Sequence, residues 1–361
     1  MKHSRAVLAF SASALWALAP LALAQKAPAP VDLGTLGGTA SAANAVATIG
    51  TSDTVVGAAN LFTDAYQHAV YTDSRGYLED MGSLIGVYGN SVANGISAKG
   101  GITGASDQII DPEGDIASHA FSFTSSRTGL VDLGTNGGTL SVGYAAQNGD
   151  VVGASTVAGD VAYCAFVWSK AGGMVNLNTL AGDFGLQGYN SYAFGINLKN
   201  IVAGSSDSPD GTTHAVIWSL SKTPVIHDMK TLGGSYAQAT AVNDSGVVVG
   251  SGTLVGDNQT NAFVGATSTL LLVSIGNLGG SYAQANGVND NGVVVGSSNI
   301  AGDTDVHAFI WTQSGGMVDL NSILPSGSPF VELNSANAIA SDGTIVGVGL
   351  AQDGQYHAFS W

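Results

Sequence analysis

Ser281-Tyr-Ala-Gln-Ala-Asn-Gly-Val288, Asn289-Asp-Asn-Gly292, Val293-Val-Val-Gly296, and then His307-Ala-Phe-Ile-Trp311, Ser314-Gly-Gly316 and Met317-Val-Asp-Leu320 form the stretch that decides the fold. The first segment alternates small or apolar with polar residues, as a half-buried strand does. Asn-Asp-Asn-Gly is turn chemistry, with glycine free to take positive φ. Val293–Gly296 is apolar throughout and reads as a strand buried on both faces. His307–Trp311 is a third strand, Ser314–Gly316 turns the chain, and Met317–Leu320 is a fourth. β-branched and aromatic residues between Gly and Asn punctuation favour strands over helices.

The unit repeats. Its third strand begins at His68, His119, Cys164, His214, Asn261, His307 and His357, with gaps of 51, 45, 50, 47, 46 and 50 residues. Its second strand ends at Gly57, Gly104, Gly153, Gly204, Gly250, Gly296 and Gly347. Four short strands at a fixed period of this size are the pattern of propeller blades. The phase adds to the count. The repeats open on a fourth strand, Val31-Asp-Leu33, and end on a third, His357–Trp361. A ring closes if the opening segment completes the last blade, leaving no free sheet edge. The expected fold is an all-β, seven-bladed propeller over 31–361 with four-stranded antiparallel blades. Trp168, Trp218, Trp311 and Trp361 share one position, and their expected burial would make Trp311→Ala several kcal/mol destabilising.

These anchors, His-Ala-Phe-Ser-Trp at 357–361 and His-Ala-Phe-Ile-Trp at 307–311, stand together with Asp-Leu-Gly-Thr-Leu-Gly-Gly at 32–38. In that combination the chain resembles the HAF-repeat family of extracellular bacterial proteins. The resemblance implies secretion and tandem repeats and brings no biochemical activity with it. Cys164-Ala-Phe-Val-Trp168 and Asn261-Ala-Phe-Val-Gly265 depart from the motif.

Residues 1–24 read as a secretory signal: Lys2 and Arg5 start it, an apolar stretch follows, and Ala22-Leu-Ala24 precedes a cut at Gln25. Residues 25–30 are a Pro-rich spacer. The expected address is secreted or periplasmic, in a bacterium, with no transmembrane segment after cleavage and a monomeric state. Asp and Glu total 26 against 10 Lys and Arg. Such a surface repels phosphate backbones and excludes nucleic acid as partner. An extracellular protein or a glycan fits better. Cys164 is the only cysteine, so an internal disulfide is impossible, and it reads as a small buried stand-in at the anchor position.

An aspartate stands four residues before every anchor: Asp64, Asp115, Asp160, Asp210, Asp257, Asp303 and Asp353. Each is expected to accept backbone N–H bonds in its own loop and to orient the nearby histidine. The rival reading is a ring of carboxylates holding Ca²⁺. His68, His119, His214, His307 and His357 are expected to tie strand three to its loop, and His227 to be an exposed edge residue. No catalytic motif or cofactor signature appears. The expected function is a non-enzymatic binding or scaffold module that uses the Asp-loop face. The alternative is an extracellular hydrolase or lyase with acids drawn from Glu113, Asp183 and Glu332, in the loops that break the repeat.

Overall fold

A computed structural model describes residues 28–182 and 189–361. The expected export signal, the first half of the spacer and Asp183 lie outside the described residues. The described chain is all-β, with one short 3-10 turn at Leu320–Ile323. None of its helices is long and apolar enough to cross a membrane.

The stretch quoted above folds into the four strands read from it, with the second extended four residues past Gly296 to Ile300. Gly279–Val288, Val294–Ile300, Val306–Thr312 and Gly316–Asp319 lie side by side, antiparallel and in chain order. The same meander forms separate four-stranded sheets over 37–80, 91–132 and 137–176. Over 191–230, 233–276 and 279–319 three meanders are joined through single parallel pairs, Thr213↔Tyr236 and Thr260↔Tyr282. The remaining sheet combines Phe330–Ile339, Ile345–Ala351 and Tyr356–Ser360 with Val31–Asp32 from the far end of the chain. There Val31 pairs with Ser360 and Asp32 with Phe359.

Two columns of the repeat explain the packing. The second strands run on past the glycine at which each was expected to end, and that glycine, now inside the strand, is required by close approach rather than by φ. A Cβ at Gly57, Gly104, Gly153, Gly204, Gly250 or Gly347 would lie 1.9 Å from a first-strand carbonyl oxygen, and at Gly296 2.0 Å. The space over most of these glycines is filled by an aromatic ring of the third strand. Phe121, Phe166, Phe263, Phe309 and Phe359 are all fully buried. In the fourth meander Val216 stands where five others have phenylalanine (the first has Val70), and Trp218 swings inward instead, its ring against Gly204. Trp218 is therefore fully buried and donates from Nε1 to Asn178 O at 2.9 Å.

The other three tryptophans depart from the expectation. Trp168, Trp311 and Trp361 are only half-buried, packed on the outside of a core whose centre is the phenylalanine. The expected large loss at Trp311 is corrected accordingly.

The anchor histidines are also held differently from the expectation. Each turns Nδ1 to the aspartate of the fourth strand, not to the aspartate of its own loop. The pairs are His68–Asp80 at 2.8 Å, His119–Asp132 at 3.0 Å, His214–Asp228 at 2.9 Å, His307–Asp319 at 2.7 Å and His357–Asp32 at 2.9 Å. Where the anchor is Asn261 its partner is Ser274, with Nδ2 donating to Oγ at 2.9 Å. Where it is the buried Cys164, the fourth strand carries Asn176. The two columns change together. The last pair, His357–Asp32, ties together residues 325 apart in sequence.

Candidate functional site

In every first strand one residue is skipped by the ladder: register shifts fall at Ala43/Ala45, Ala93/Gly95, Gly143/Ala145, Ala193/Gly195, Ala239/Ala241, Ala285/Gly287 and Ala336/Ala338. The skipped residues are Asn44, Asn94, Tyr144, Phe194, Thr240, Asn286 and Asn337. A bulge re-aims the side chain it carries. All seven line one open cavity of about 320 Å³, joined by Gln238 and Gln284.

On one side of the cavity the lining is polar and knitted between neighbouring sheets. Asn44 Nδ2 donates to Ala93 O at 2.9 Å, Asn94 Nδ2 to Gly143 O at 3.0 Å and Thr240 Oγ1 to Ala285 O at 2.6 Å. Asn286 Nδ2 donates to Ala336 O at 3.0 Å, and Asn337 Nδ2 to Ala43 O at 2.9 Å. On the other side the bulges carry Tyr144 and Phe194, with ring centroids 5.1 Å apart.

These aromatics continue outward into a second pocket of about 290 Å³, lined also by Tyr192, Asp207, Thr213 and Tyr236. Phe194 stacks on Tyr192 at 5.9 Å and 6°, and Tyr192 on Tyr163 at 5.6 Å and 29°. Burial, followed by the charges of Tyr144, Tyr163 and Asp207, pushes the Tyr192 phenol up to about 12. Tyr236 and Tyr282 donate to Gln238 and Gln284 Oε1, each at 2.6 Å. The opening therefore offers neutral phenols and primary amides beside flat aromatic faces.

Two of the outer pocket's lining residues, Asp207 and Thr213, flank the loop that carries Asp210. Asp64, Asp160, Asp257 and Asp303 stand at positive φ and clamp the start of the first strand of their own sheet. They accept from Thr39 N at 2.7 Å, Thr139 N at 2.8 Å, Ser235 N at 2.7 Å and Ser281 N at 2.7 Å. Backbone N–H donors hold Asp64 and Asp303 below the ordinary carboxylate range, whereas for Asp160 and Asp257 threonine hydroxyls lead. Three loops differ. Asp210 accepts from Thr212 N at 3.1 Å, Asp353 from Gln355 N at 2.9 Å, and Asp115 donates its own N–H to Asp111 at 3.0 Å. The seven stand in seven separate loops. His227 is half-buried, its Nε2 3.1 Å from Ser219 Oγ.

Among the described residues one group of metal-type ligands converges, and none of the seven aspartates belongs to it. Asp305, His307 and Glu332 present ligand atoms within 4.8 Å of one another. Glu332 lies on the first strand of the last sheet, where an extra residue, Asn334, widens the bulge. Burial first, and then the charge of Asp305, raises its carboxyl above the ordinary value. Of the acids expected to work together, Glu113 is exposed in the turn after Ile102–Ile109 and is not part of this group.

The residues of the bulge column escape a reading of the sequence alone. Their signal is a column at 44, 94, 144, 194, 240, 286 and 337 whose residue type changes while its neighbours stay small.

No protein-family model matches the chain, and no curated protein aligns with it. Solved structures do resemble it. Puromycin hydrolase superposes with a TM-score of 0.53 at 12% identity, over 94% of this chain and 52% of that one. The β-propeller domain of the Trilobed protease from Pyrococcus furiosus gives 0.49 at 9% identity, over 89% of this chain and 95% of that one. TolB from Acinetobacter baumannii gives 0.47 at 9% identity, over 73% and 62%. The chain thus spans about half the length of puromycin hydrolase. At such identities the likeness shows the fold, a propeller. It also corrects one expectation: the matched propeller of puromycin hydrolase belongs to an enzyme, so the fold gives no ground for reading the chain as a non-enzymatic binding or scaffold module.

Proposed function

We propose that the chain forms a ring of seven blades, closed by Val31–Asp32 on the terminal strand, and that its axial opening receives peptide in a peptidase-type system outside the cytoplasm. Closure is supported by the His357–Asp32 pair and by Asn337 bonding Ala43 across the chain ends. The export signal and the HAF-repeat resemblance belong to the same reading.

One observation carries the functional part: the split lining of the axial cavity. Asn and Gln side chains each offer donors and an acceptor, which matches the alternating N–H and C=O of an extended peptide. The Tyr144–Phe194–Tyr192–Tyr163 stack offers apolar faces to a side chain. Cavities of this size, with aromatic walls and a few polar groups, suit ligand entry.

The experiment is peptide binding followed by fluorescence anisotropy, with Tyr192→Ala and Gln238→Leu as variants. Each variant is expected to weaken binding about tenfold, the scale of one lost aromatic contact or hydrogen bond. Peptide affinity unchanged by both variants, or binding of oligosaccharides alone, refutes the reading.

A further inference from the structure

Of the five anchor histidines, His307 has surroundings unlike the rest. Its Nδ1 faces Asp319 Oδ2 at 2.7 Å, and the other oxygen of Asp319 accepts from Asn321 N at 2.8 Å. A carboxylate fixed in this way holds the proton on Nδ1 and leaves the Nε2 lone pair as acceptor or ligand. At His214 that nitrogen meets Thr212 Oγ1 at 2.8 Å, and at His357 it has one carboxylate, Asp353, at 3.7 Å. At His307 it faces two: Glu332 Oε1 at 4.0 Å, and Asp305 within the same 4.8 Å group.

These distances are too long for hydrogen bonds, and the charge is unbalanced. Asp305, Glu332 and Asp319 converge on one imidazole, and no lysine or arginine bridges to any of them among the described residues. Carboxylates crowded without a cation repel one another. The donors that do reach them are Asn334 Nδ2 on Glu332 Oε1 and Val306 N on Asp305 Oδ1 at 2.8 Å. The Oδ1 of Asn334 is buried beside them without a hydrogen-bond partner.

We infer that Asp305, His307 and Glu332 form a divalent-cation site of the zinc class, with Asp319 as the positioning residue behind the histidine. One imidazole with two carboxylates suits Zn²⁺ better than the all-oxygen shells of Ca²⁺ or Mg²⁺. Bonds of about 2.0–2.2 Å place tetrahedral ligands roughly 3.4 Å apart. The group therefore closes by about 1 Å on binding. Asp305 is exposed and Glu332 half-exposed, so side-chain rotation supplies that movement. Three protein ligands leave the fourth position open to water or a substrate atom, the arrangement of catalytic rather than structural zinc. The cation contacts no residue of the axial cavity lining, so the site stands or falls independently of peptide binding there.

The test uses the whole chain stripped with chelator and titrated with Zn²⁺ alone against a chromophoric competitor. One ion per chain is expected. Glu332→Gln is expected to weaken it at least tenfold, and Asp319→Asn by about 10–100-fold, the scale of an outer-shell partner. His307→Asn is expected to abolish it while the protein stays folded, because asparagine already fills this column at Asn261. Co²⁺ gives a second readout: its visible absorption should be present in the parent and lost in His307→Asn. Zn²⁺ binding unchanged in both Glu332→Gln and His307→Asn overturns the assignment. So does a parent chain that takes up no Zn²⁺ at micromolar concentration, or an ion that Ca²⁺ displaces equally well with and without the histidine.

Discussion

Gly296→Ala tests the central packing claim. The added methyl would lie 2.0 Å from Gln284 O and 2.7 Å from two ring carbons of Phe309. Neither neighbour can yield alone: Gln284 lies in the first strand, whose Ala285 pairs with Gly296, and Phe309 is fully buried. Relieving the oxygen contact requires more than about 1 Å of strand separation, since real Cβ atoms do not approach under 3.0 Å. Two ladder hydrogen bonds weakened at about 1 kcal/mol each, plus about 1–3 kcal/mol of overpacking, give roughly 3–5 kcal/mol. The loss of unfolded-chain entropy returns only about 0.4–1 kcal/mol. Urea denaturation followed by Trp fluorescence reads the shift.

The control is Gly292→Ala. That glycine has φ +74° and nothing within 4 Å of the place an added methyl would take, so only backbone strain of about 1–2 kcal/mol applies. If Gly296→Ala loses no more stability than Gly292→Ala, the close-approach account of the glycine column is wrong.

The tryptophans should separate. Trp218→Ala is expected to lose about 3–5 kcal/mol, since the ring fills core space left by Val216, while Trp311→Ala should lose under about 2 kcal/mol because Phe309 keeps the core filled. Equal losses in denaturant would contradict the compensation between Val216 and Trp218. Acid should unfasten the loop clamps. Asp64, Asp160, Asp257 and Asp303 have folded values below the ordinary one. Their contribution is therefore present above the unfolded carboxylate pKa of about 3.9 and is lost as pH falls through the lower folded values. Glu332 runs the other way: its raised carboxyl favours folding when protonated, and that contribution fades as pH rises through its folded value. Melting midpoints between about pH 2 and pH 6 should slope less when the four aspartates are changed to asparagine, and an unchanged slope would remove their role.

Features that each repeat must solve alone are legible in the chain. The glycine column, the buried phenylalanines and the turn residues answer local problems of clearance and φ, so they recur and can be counted. The histidine partner is easily misassigned for a simple reason. The loop aspartate is four residues away in sequence, but strand pairing places the fourth-strand aspartate, Asp319 for His307, directly against the ring. The correlated change at Cys164/Asn176 and Asn261/Ser274 holds that answer in the sequence. Trp218 misleads because its burial depends on Val216 two residues earlier, not on its own column. The residues of the bulge column and the Asp305–His307–Glu332 group are not legible locally at all. The first depends on bulges that only strand pairing reveals, and the second joins neighbouring sheets through an extra residue at Asn334.

The repeat itself indicates where function can reside. A column that every sheet needs is held constant or changes only with its partner, as the histidine–aspartate pairs do. The bulge column answers to neither constraint. It reads Asn, Asn, Tyr, Phe, Thr, Asn, Asn, and all seven side chains meet in one cavity. Two bulky aromatics adjacent to one another, opposite amides, break the rotational equivalence that the backbone maintains elsewhere. A symmetric ring can hold only a symmetric ligand equally well in every orientation. The break at Tyr144 and Phe194, extended outward through Tyr192 and Tyr163, gives the lining a single direction, which is what the peptide proposed above, an asymmetric polymer, requires.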